Sequence, residues 1–240
     1  MSKIAIIGAG LAGLTTASKL NDYASVTIFE KARGVGGRMA TRRAEPFIFD
    51  HGAQFFKAKT DRFRAFIAPL IDLGIIQRWD ARFVEFDRQK KISQRIWDQH
   101  YPHYVAVPGM NALAKYLATK LEVRLTTRVA QIIKNDRNWD LFDDQGKHID
   151  SFDWVISTTP AQQAIDLLPE SFKFYSTMQN IQMLGCFALM LGFTHPLDLD
   201  FDEALVKNAD ISCISVNSSK PGRNGLFSVV VHSTNKWAQA

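Results

Sequence analysis

The stretch KIAIIGAGLAGL, residues 3–14, decides the fold of this 240-residue chain. Lys3–Ile7 is a run of branched apolar residues, which is typical of a buried strand. Three glycines follow with the spacing G-x-G-x-x-G, and apolar residues then recur at helical intervals over 11–21. Residues 25–30 (SVTIFE) again have the composition of a strand. The pattern predicts a β-α-β unit with two neighbouring parallel strands.

The three glycines are typical of a phosphate-binding turn, because they lie between a strand and a helix. Gly8 permits the tight turn, Gly10 lets the backbone approach a pyrophosphate, and Gly13 lets the helix pack closely on the strand. Glu30 ends the second strand, where a carboxylate can accept hydrogen bonds from ribose hydroxyls. Since that carboxylate would repel a 2′-phosphate, the predicted ligand is FAD or NAD rather than NADP.

A second glycine-rich loop, KARGVGGR, occupies residues 31–38 directly after Glu30. Gly36 and Gly37 allow backbone amides to come close to an anion, and Arg33 and Arg38 can neutralise phosphate or reach toward a flavin ring. A simple nicotinamide dehydrogenase does not need this loop. The loop therefore favours FAD, with a nicotinamide-only dehydrogenase as an alternative.

Composition excludes several classes of protein. Hydrophobic residues make up 46% and charged residues 22% of the chain, so it is neither disordered nor low in complexity. A net charge of +5 without a long basic run argues against a nucleic-acid partner. Cys186 and Cys213 form neither a disulfide framework nor a zinc motif, which predicts a reducing, cytoplasmic compartment and no metal site. Neither cysteine has a sequence context typical of a flavin tether, so both are predicted core residues. The most apolar stretch, 183–193, is too short to span a bilayer, so a soluble protein without a membrane partner is expected.

Further elements are predicted along the chain. Thr60–Leu73 is an amphipathic helix that Thr60 caps, and Met110–Lys120 is another helix. Residues 75–105 alternate between apolar and polar and predict a meander of several strands. A second, three-stranded meander is predicted over residues 129–149, with turns at 135–137 and 144–146.

Several motifs resemble a known family. The pairing of GAGLAG (8–13) with EKARGVGGR (30–38) resembles the FAD-dependent, flavin-containing amine oxidase superfamily. Four further segments resemble its renalase-like branch, so that the resemblance runs through essentially the whole chain. These segments are FDHGAQFF (49–56), VPGMNAL (107–113), VISTTPAQQA (155–164) and SSKPGR (218–223).

The resemblance implies an α/β fold (α+β overall), in which a Rossmann-like FAD-binding domain with a β-meander crossover is joined to a substrate domain of mixed sheet and helix. The implied FAD-binding domain consists of residues 1–58 and 105–165, and the substrate domain of 59–104 and 166–240. FAD would be held without a covalent bond by both glycine loops, the segment 52–55 and the start of the meander. The residues implied are Gly8, Gly10, Leu11, Ala12, Gly13, Glu30, Lys31, Arg33, Gly36, Gly37, Arg38, Gly52, Ala53, Gln54, Phe55 and Val129.

The sequence departs from the family pattern near its end. The superfamily carries a third FAD segment, a Gly-Asp-containing strand and turn that opens a final helix. No such segment follows SVVVHS at residues 228–233. The chain is therefore expected to be truncated relative to the family.

The resemblance also implies a reaction. Renalase-like enzymes oxidise dihydronicotinamide isomers by hydride transfer to flavin N5, and molecular oxygen then reoxidises the flavin and becomes hydrogen peroxide. The substrate is electron-rich, so orientation over the flavin suffices and no general base is needed. We therefore assign no catalytic residue. The alternatives are a flavin amine oxidase or desaturase of another small substrate, and a truncated, non-catalytic dinucleotide-binding remnant.

Overall fold

A computed structural model describes residues 1–223 and 225–240 of the chain. The helices among these residues are α1 (Leu11–Leu20), α2 (Asp61–Asp72), α3 (Asn111–Ala118), α4 (Ala161–Ile165), α5 (Tyr175–Gln179) and α6 (Asn235–Ala238). The strands are β1 (Lys3–Ile7), β2 (Ser25–Phe29), β3 (Thr41–Ala44), β4 (Phe47–Asp50), β5 (Ile76–Arg78), β6 (Arg82–Asp87), β7 (Lys90–Ile96), β8 (Tyr104–Ala106), β9 (Glu122–Arg124), β10 (Gln131–Lys134), β11 (Trp139–Phe142), β12 (His148–Phe152), β13 (Trp154–Ser157), β14 (Ala188–Gly192), β15 (Glu203–Lys207), β16 (Ile211–Val216) and β17 (Ser228–Ser233).

The backbone packs as two compact units, each built from two segments of the chain. Unit 1 contains Met1–Gly37 and Ala114–Met183, and unit 2 contains Arg38–Leu113 and Leu184–Ala240. These boundaries differ from the predicted functional division, which groups residues 38–58 with the FAD-binding segments. The functional division stays a prediction, because compactness does not show which residues bind a ligand.

Unit 1 is built on a four-stranded parallel sheet with the order β13-β1-β2-β9. The predicted β-α-β unit is confirmed: β1 and β2 pair in parallel, and α1 connects them. The two faces of the sheet carry separate cores because side chains alternate along each strand. One core contains Ile4, Ile6, Leu14, Ala17, Val26 and Ile28. The other contains Ala5, Ile7, Phe29, Val129, Leu141 and Phe152.

The second meander of the sequence analysis forms part of this second core. β10, β11 and β12 pair antiparallel in the order of the chain, as predicted. Phe152 at the end of β12 meets Phe29 of β2 edge to face, with ring centroids 5.6 Å apart. The meander therefore covers the side of the parallel sheet opposite to α1, and the mixed α/β fold class is confirmed.

Unit 2 is built on a six-stranded sheet with the order β14-β17-β16-β15-β6-β7. β15 pairs with β6 in parallel, and the remaining neighbours pair antiparallel. Val84, Ala204 and Val216 pack with Phe201 on one face of this sheet. The other face carries Phe83, Glu203 and Ser215, which lie side by side on three adjacent strands.

The predicted single meander over residues 75–105 is wrong in its pairing. β6 and β7 form a hairpin that joins the large sheet, whereas β5 pairs with β8 in a separate two-stranded sheet. Backbone hydrogen bonds extend this small sheet on both sides, from Trp79 N to His103 O (2.8 Å) and from Val107 N to Ile75 O (2.9 Å). Alternation in the sequence shows that strands exist but does not specify their partners.

The hairpin of β3 and β4 was not identified from the sequence. The residues Thr41–Ala44 are basic and largely exposed, so the strand has no apolar face that a pattern could reveal. Pairing with Phe47–Asp50, which carries the buried residues of the hairpin, makes this segment extended.

Gly13 provides a test of the close packing of α1 on β1. A Cβ added there would overlap the Gly8 carbonyl oxygen and lie 2.9 Å from the Thr158 hydroxyl. We expect Gly13→Ala to lower the free energy of unfolding by about 2–3 kcal/mol, because backbone atoms cannot move aside cheaply. Urea unfolding followed by circular dichroism measures this change.

The matched control is Gly34→Ala, since a Cβ at Gly34 meets no heavy atom within 4 Å. Its free energy of unfolding should stay within about 0.5 kcal/mol of the wild type. Equal effects of the two substitutions would show that close approach is not the reason for glycine at position 13.

Candidate functional site

The first glycine loop of unit 1 offers backbone N–H groups without side-chain partners. α1 starts directly after Gly10, and no side chain caps its first turn. A Cβ added to Gly10 would meet no heavy atom within 4 Å, so the space above this residue is open. A helix start with free N–H groups and open space is a suitable site for a phosphate.

The second loop lies against the first within unit 1. Gly36 N–H donates to Ala9 O at 2.9 Å, and Gly36 also forms a β-bridge with Gly10. Arg33 is exposed, as is Arg38 at the start of unit 2. Within the described part of the chain, neither guanidinium forms an ion pair or a side-chain hydrogen bond. Arg33 is therefore available to a phosphate held by the loops of unit 1.

The Glu30 carboxylate connects the two loops. Its Oε2 accepts a hydrogen bond from Ala9 N–H, and its Oε1 accepts one from Ala32 N–H, each at 2.9 Å. Each carboxylate oxygen has a second lone pair that can accept a further hydrogen bond. Glu30 thus holds the loop backbone in place, and its contact with ribose stays a prediction.

A cleft of about 490 Å³ lies beside Glu30 in unit 1. Its lining residues are Lys31, Thr126, Thr127, Arg128, Asp143, Asp144 and Ile149. Thr127 N–H donates to Glu30 O at 2.9 Å, which fixes this segment next to the loop. Val129 is buried through its side chain, while its backbone N–H and carbonyl make no hydrogen bond among the described residues. These free groups suit the predicted backbone contact with adenine.

The loops and the cleft of unit 1 therefore fit the adenosine diphosphate half of FAD. The glycine loops would hold the pyrophosphate, and Glu30 and Val129 would contact the adenosine. When bound, FAD would supply a hydride acceptor and, once reduced, a reductant for oxygen. The contacts of the individual residues remain predictions.

The segment 52–55 of unit 2, predicted to pass close to the isoalloxazine ring, is held tightly. Gly52 packs against the backbone of Arg38, and Ala53 N–H donates to Arg38 O at 3.0 Å. The Gln54 amide donates to Asp50 O and Gly52 O and accepts from Lys220 Nζ at 2.7 Å. Gln54 is thus engaged internally, and its predicted contact with flavin rests on its backbone.

Asp50 is a fully buried carboxylate at the centre of unit 2. Arg223 Nε donates to its Oδ2 at 3.1 Å, while Met110 N–H (2.9 Å) and the Thr41 hydroxyl (2.7 Å) donate to its Oδ1. Burial alone would raise the pKa of Asp50, but the positive charges of Lys220 and Arg223 and these hydrogen bonds lower it below its ordinary value. Asp50 is therefore ionised and fully paired.

Lys220 and Glu203 form a second buried pair of ionisable groups. Burial lowers the pKa of Lys220 and raises the pKa of Glu203, and the opposite charge of each partner counteracts the shift. Lys220 Nζ lies 5.4 Å from the centre of the Trp79 ring. In the described residues, Glu203 Oε2, Ser215 Oγ and Trp97 Nε1 are buried without a hydrogen-bond partner. This face of the large sheet therefore carries buried polar and charged groups next to aromatic rings.

Four of these rings contact one another and are called the aromatic cluster: Phe55, Trp79, Trp97 and His103. Trp97 and His103 stack at 3.6 Å with an angle of 8°, and Phe55 meets Trp97 edge to face at 4.7 Å. Burial lowers the pKa of His103 to about 4, so its imidazole is neutral at pH 7. Trp79, Trp97 and His103 are each at most 3% exposed, so Phe55 is the partly exposed ring of this uncharged cluster.

Sequence reasoning missed the roles of Asp50, Glu203, Lys220 and Arg223. The Lys-Pro-Gly-Arg segment at 220–223 has the composition of an exposed loop. Composition therefore did not indicate that the side chains of Lys220 and Arg223 are buried. No role was predicted from the sequence for His103 either, which is 3% exposed.

His232 and the two cysteines also lie in unit 2. His232 is half-buried, with Nε2 2.9 Å from His51 O and Nδ1 3.4 Å from Cys213 Sγ. The expectation of two core cysteines is wrong for Cys186, which is exposed because it precedes β14 in an irregular segment.

The described residues offer neither a cluster of metal ligands nor a helix that could span a membrane. They contain no group of three or more His, Cys, Asp or Glu side chains placed to hold a metal ion. None of the helices in this part of the chain is both long enough and apolar enough to cross a membrane.

Comparison with known proteins defines the class. The chain belongs to the flavin containing amine oxidoreductase family, whose model matches residues 83–240, and residues 6–70 match an NAD(P)-binding Rossmann-like domain. The predicted superfamily and its flavin cofactor, FAD, are thereby confirmed.

Among individual proteins, the chain is similar to mouse renalase, with 27% identity over 195 residues that cover 76% of this chain and 54% of renalase. The chain thus spans about half the length of this curated relative. A 4,4'-diapophytoene desaturase from Staphylococcus aureus is 49% identical over 51 residues, 21% of this chain and 10% of the desaturase. A triple mutant of putrescine oxidase has the same fold, with a TM-score of 0.76, 12% identity, and coverage of 99% of this chain and 76% of that chain.

Gly10 provides a test of the phosphate loop. We expect Gly10→Val to weaken FAD binding by about 100-fold or more, because its side chain would fill the space that the pyrophosphate needs. Stability should change little, since a Cβ at this position meets no heavy atom within 4 Å. Fluorescence titration with FAD, together with urea unfolding, separates the two effects. Full FAD affinity in this variant would mean that the phosphates bind elsewhere.

Asp50 provides a test of the buried charges. Asp50→Asn should lower the free energy of unfolding at pH 7 by about 3 kcal/mol, because Arg223 and Lys220 lose their buried counter-charge. The folded-state pKa of Asp50 is lowered, so its stabilisation is complete above the unfolded pKa of about 4 and is lost as pH falls through the folded pKa. The difference between wild type and variant should therefore shrink in urea titrations below pH 4.

The control is Asp80→Asn, which removes a half-exposed partner of Arg78. It should cost less than about 1 kcal/mol at pH 7. A similarly small cost for Asp50→Asn would contradict the central role of that carboxylate.

Proposed function

We propose that this chain is an FAD-dependent oxidoreductase of the renalase type, which oxidises a dihydronicotinamide isomer with molecular oxygen as the electron acceptor. The observation that carries the proposal is the similarity to renalase over 76% of the chain, together with two glycine loops that fit FAD. The hydride of the dihydronicotinamide supplies two electrons and one proton, and a second proton comes from water. Oxygen takes up both electrons and both protons, and the products are the oxidised nicotinamide and hydrogen peroxide.

The residues of the chain would supply orientation rather than acid–base chemistry. A dihydropyridine releases its hydride by forming an aromatic ring, so no side chain has to remove a proton first. The flat ring of Phe55, which is partly exposed, suits a planar substrate ring, and stacking fixes its orientation. His103 is neutral at pH 7 and would not protonate the electron-rich substrate.

An amine oxidase is the second candidate, because the matching family is described as amine oxidoreductases. An amine must lose its ammonium proton before it can donate a hydride. The described residues that could accept a proton near the aromatic cluster are buried, as in Glu203 and Lys220. This burial favours the dihydronicotinamide over the amine.

The test uses the chain reconstituted with FAD. Anaerobic mixing with the dihydronicotinamide dinucleotide isomers that carry the extra hydrogen next to the ring nitrogen should bleach the visible flavin absorbance. In air, hydrogen peroxide should form at least about tenfold faster than with ordinary NADH, since the hydride of NADH is misplaced for the same ring position. The matched control is Gly10→Val, which should lack FAD and activity.

Other outcomes decide between the alternatives. Bleaching by putrescine or another amine, without bleaching by the dihydronicotinamides, would establish an amine oxidase. A wild-type chain that does not take up FAD would support the non-catalytic alternative and contradict the proposal.

A further inference from the structure

Three cations surround the aromatic cluster of unit 2. The backbones of Phe56 and Tyr104 exchange two hydrogen bonds, each of 2.9 Å, in an antiparallel bridge. Residues next to such a bridge face each other across it, so Lys57 lies beside His103. Because His103 stacks on Trp97, Lys57 is placed at one side of the cluster.

Arg95 lies on another side of the same cluster. Its guanidinium sits 4.5 Å from the centre of the Phe83 ring, and Phe83 stacks on Trp97 at 5.1 Å. Arg95 and Trp97 are two residues apart along the chain, and backbone pairing of Trp97 with Ala81 continues the ladder of β6 and β7. Arg95 therefore points to the same side of the sheet as the aromatic rings.

Lys59 completes a group that we call the basic rim: Lys57, Lys59 and Arg95. Lys59 directly precedes Thr60, whose hydroxyl caps α2 by accepting from Phe63 N–H at 3.3 Å. Arg64 donates to the carbonyls of Ala58 and Lys59 at 3.1 and 3.0 Å and thereby fixes this segment. The positive end of α2 adds to the positive potential of the rim, although Asp61 in its first turn counters part of it.

The charges of the rim are poorly compensated. In the described residues, Lys57 and Lys59 form no ion pair. Arg95 has Glu85 at 3.9 Å, but that carboxylate is closer to Lys207, at 2.9 Å. Partial burial and the positive charges of Lys59 and Arg95 lower the pKa of Lys57. Like charges that repel one another without a counter-ion form a favourable site for an anion.

We propose that the basic rim binds the pyrophosphate of a dinucleotide substrate whose nicotinamide ring is directed to Phe55, the partly exposed member of the aromatic cluster. This proposal rests on the proposed function, since it assigns the part of the substrate that does not react. A pyrophosphate diester carries two negative charges spread over several oxygens, which suits several cations on flexible side chains. The rim thus selects a dinucleotide over the corresponding riboside, which lacks phosphate.

The first experiment compares two substrates of the FAD-loaded chain, the dihydronicotinamide dinucleotide isomer and the matching riboside. Lys57→Met and Arg95→Met should each raise KM for the dinucleotide by about three- to tenfold, because each removes a partly exposed charge contact. The KM for the riboside should change less than about twofold, because it has no phosphate to lose. The increase in KM for the dinucleotide that these substitutions cause should also be smaller when salt is added.

The matched control is Lys90→Met, which removes an equal charge at the far end of β7. It should leave both KM values unchanged. Equal changes of KM for dinucleotide and riboside in the rim variants would overturn the proposal, as would equal changes in the control. Thermal melting of each variant shows whether the chain is still folded.

A second experiment does not depend on turnover. ADP-ribose contains the pyrophosphate without a nicotinamide, and its binding to the FAD-loaded chain can be measured by calorimetry. The rim variants should weaken it by about three- to tenfold and Lys90→Met should not. If the wild type binds ADP-ribose through the rim but oxidises neither substrate, the proposed function fails while the anion site stands. Absence of binding to the wild type, or equal binding to the rim variants, overturns the anion site itself.

Discussion

The buried carboxylate of Asp50 is the constraint on which unit 2 depends. It receives hydrogen bonds from Thr41 on one hairpin strand and from Met110 before α3, and its counter-charges come from Lys220 and Arg223 after β16. A charge in the interior is tolerated only when its partners are in place, so these distant segments must assemble together. Since Lys220 also holds Gln54, the segment predicted to lie along the flavin is fixed by the same network.

Unit 1 depends on space around the backbone rather than on buried charge. At Gly13 the helix approaches the strand so closely that no side chain fits, whereas the space above Gly10 is open. The same motif therefore uses one glycine for packing and another for access. Glu30 stabilises both loops by accepting hydrogen bonds from the backbone of Ala9 and Ala32. A residue that was predicted only to contact the ribose therefore also has a structural role.

The difference between the units explains how much the sequence could predict. Strand, turn and helix of β1-α1-β2 are local, and the functional motif is contiguous, so spacing alone identified them. In unit 2 the partners of Asp50 are up to 173 positions away, and no local pattern reveals such a pairing. The segment of β5 was recognised as extended, but its pairing with β8 depends on the path of the chain between them. Thr41–Ala44 lacks an apolar face altogether, so only tertiary pairing makes it a strand.

The electrostatics of unit 2 also bear on the type of substrate. The aromatic cluster is neutral at pH 7, because burial keeps the imidazole of His103 unprotonated. The nearby ionisable groups Glu203 and Lys220 are buried, and burial raises the pKa of Glu203 and lowers the pKa of Lys220. Such a surrounding does little for a substrate that must first lose a proton, and it protects an electron-rich ring from acid. Lys57 and Arg95 lie outside the cluster, and in the proposed function they bind the phosphates of the substrate rather than its reacting ring. The proposed function thus uses a separation between a neutral region for the reacting ring and a charged region for the rest of the substrate.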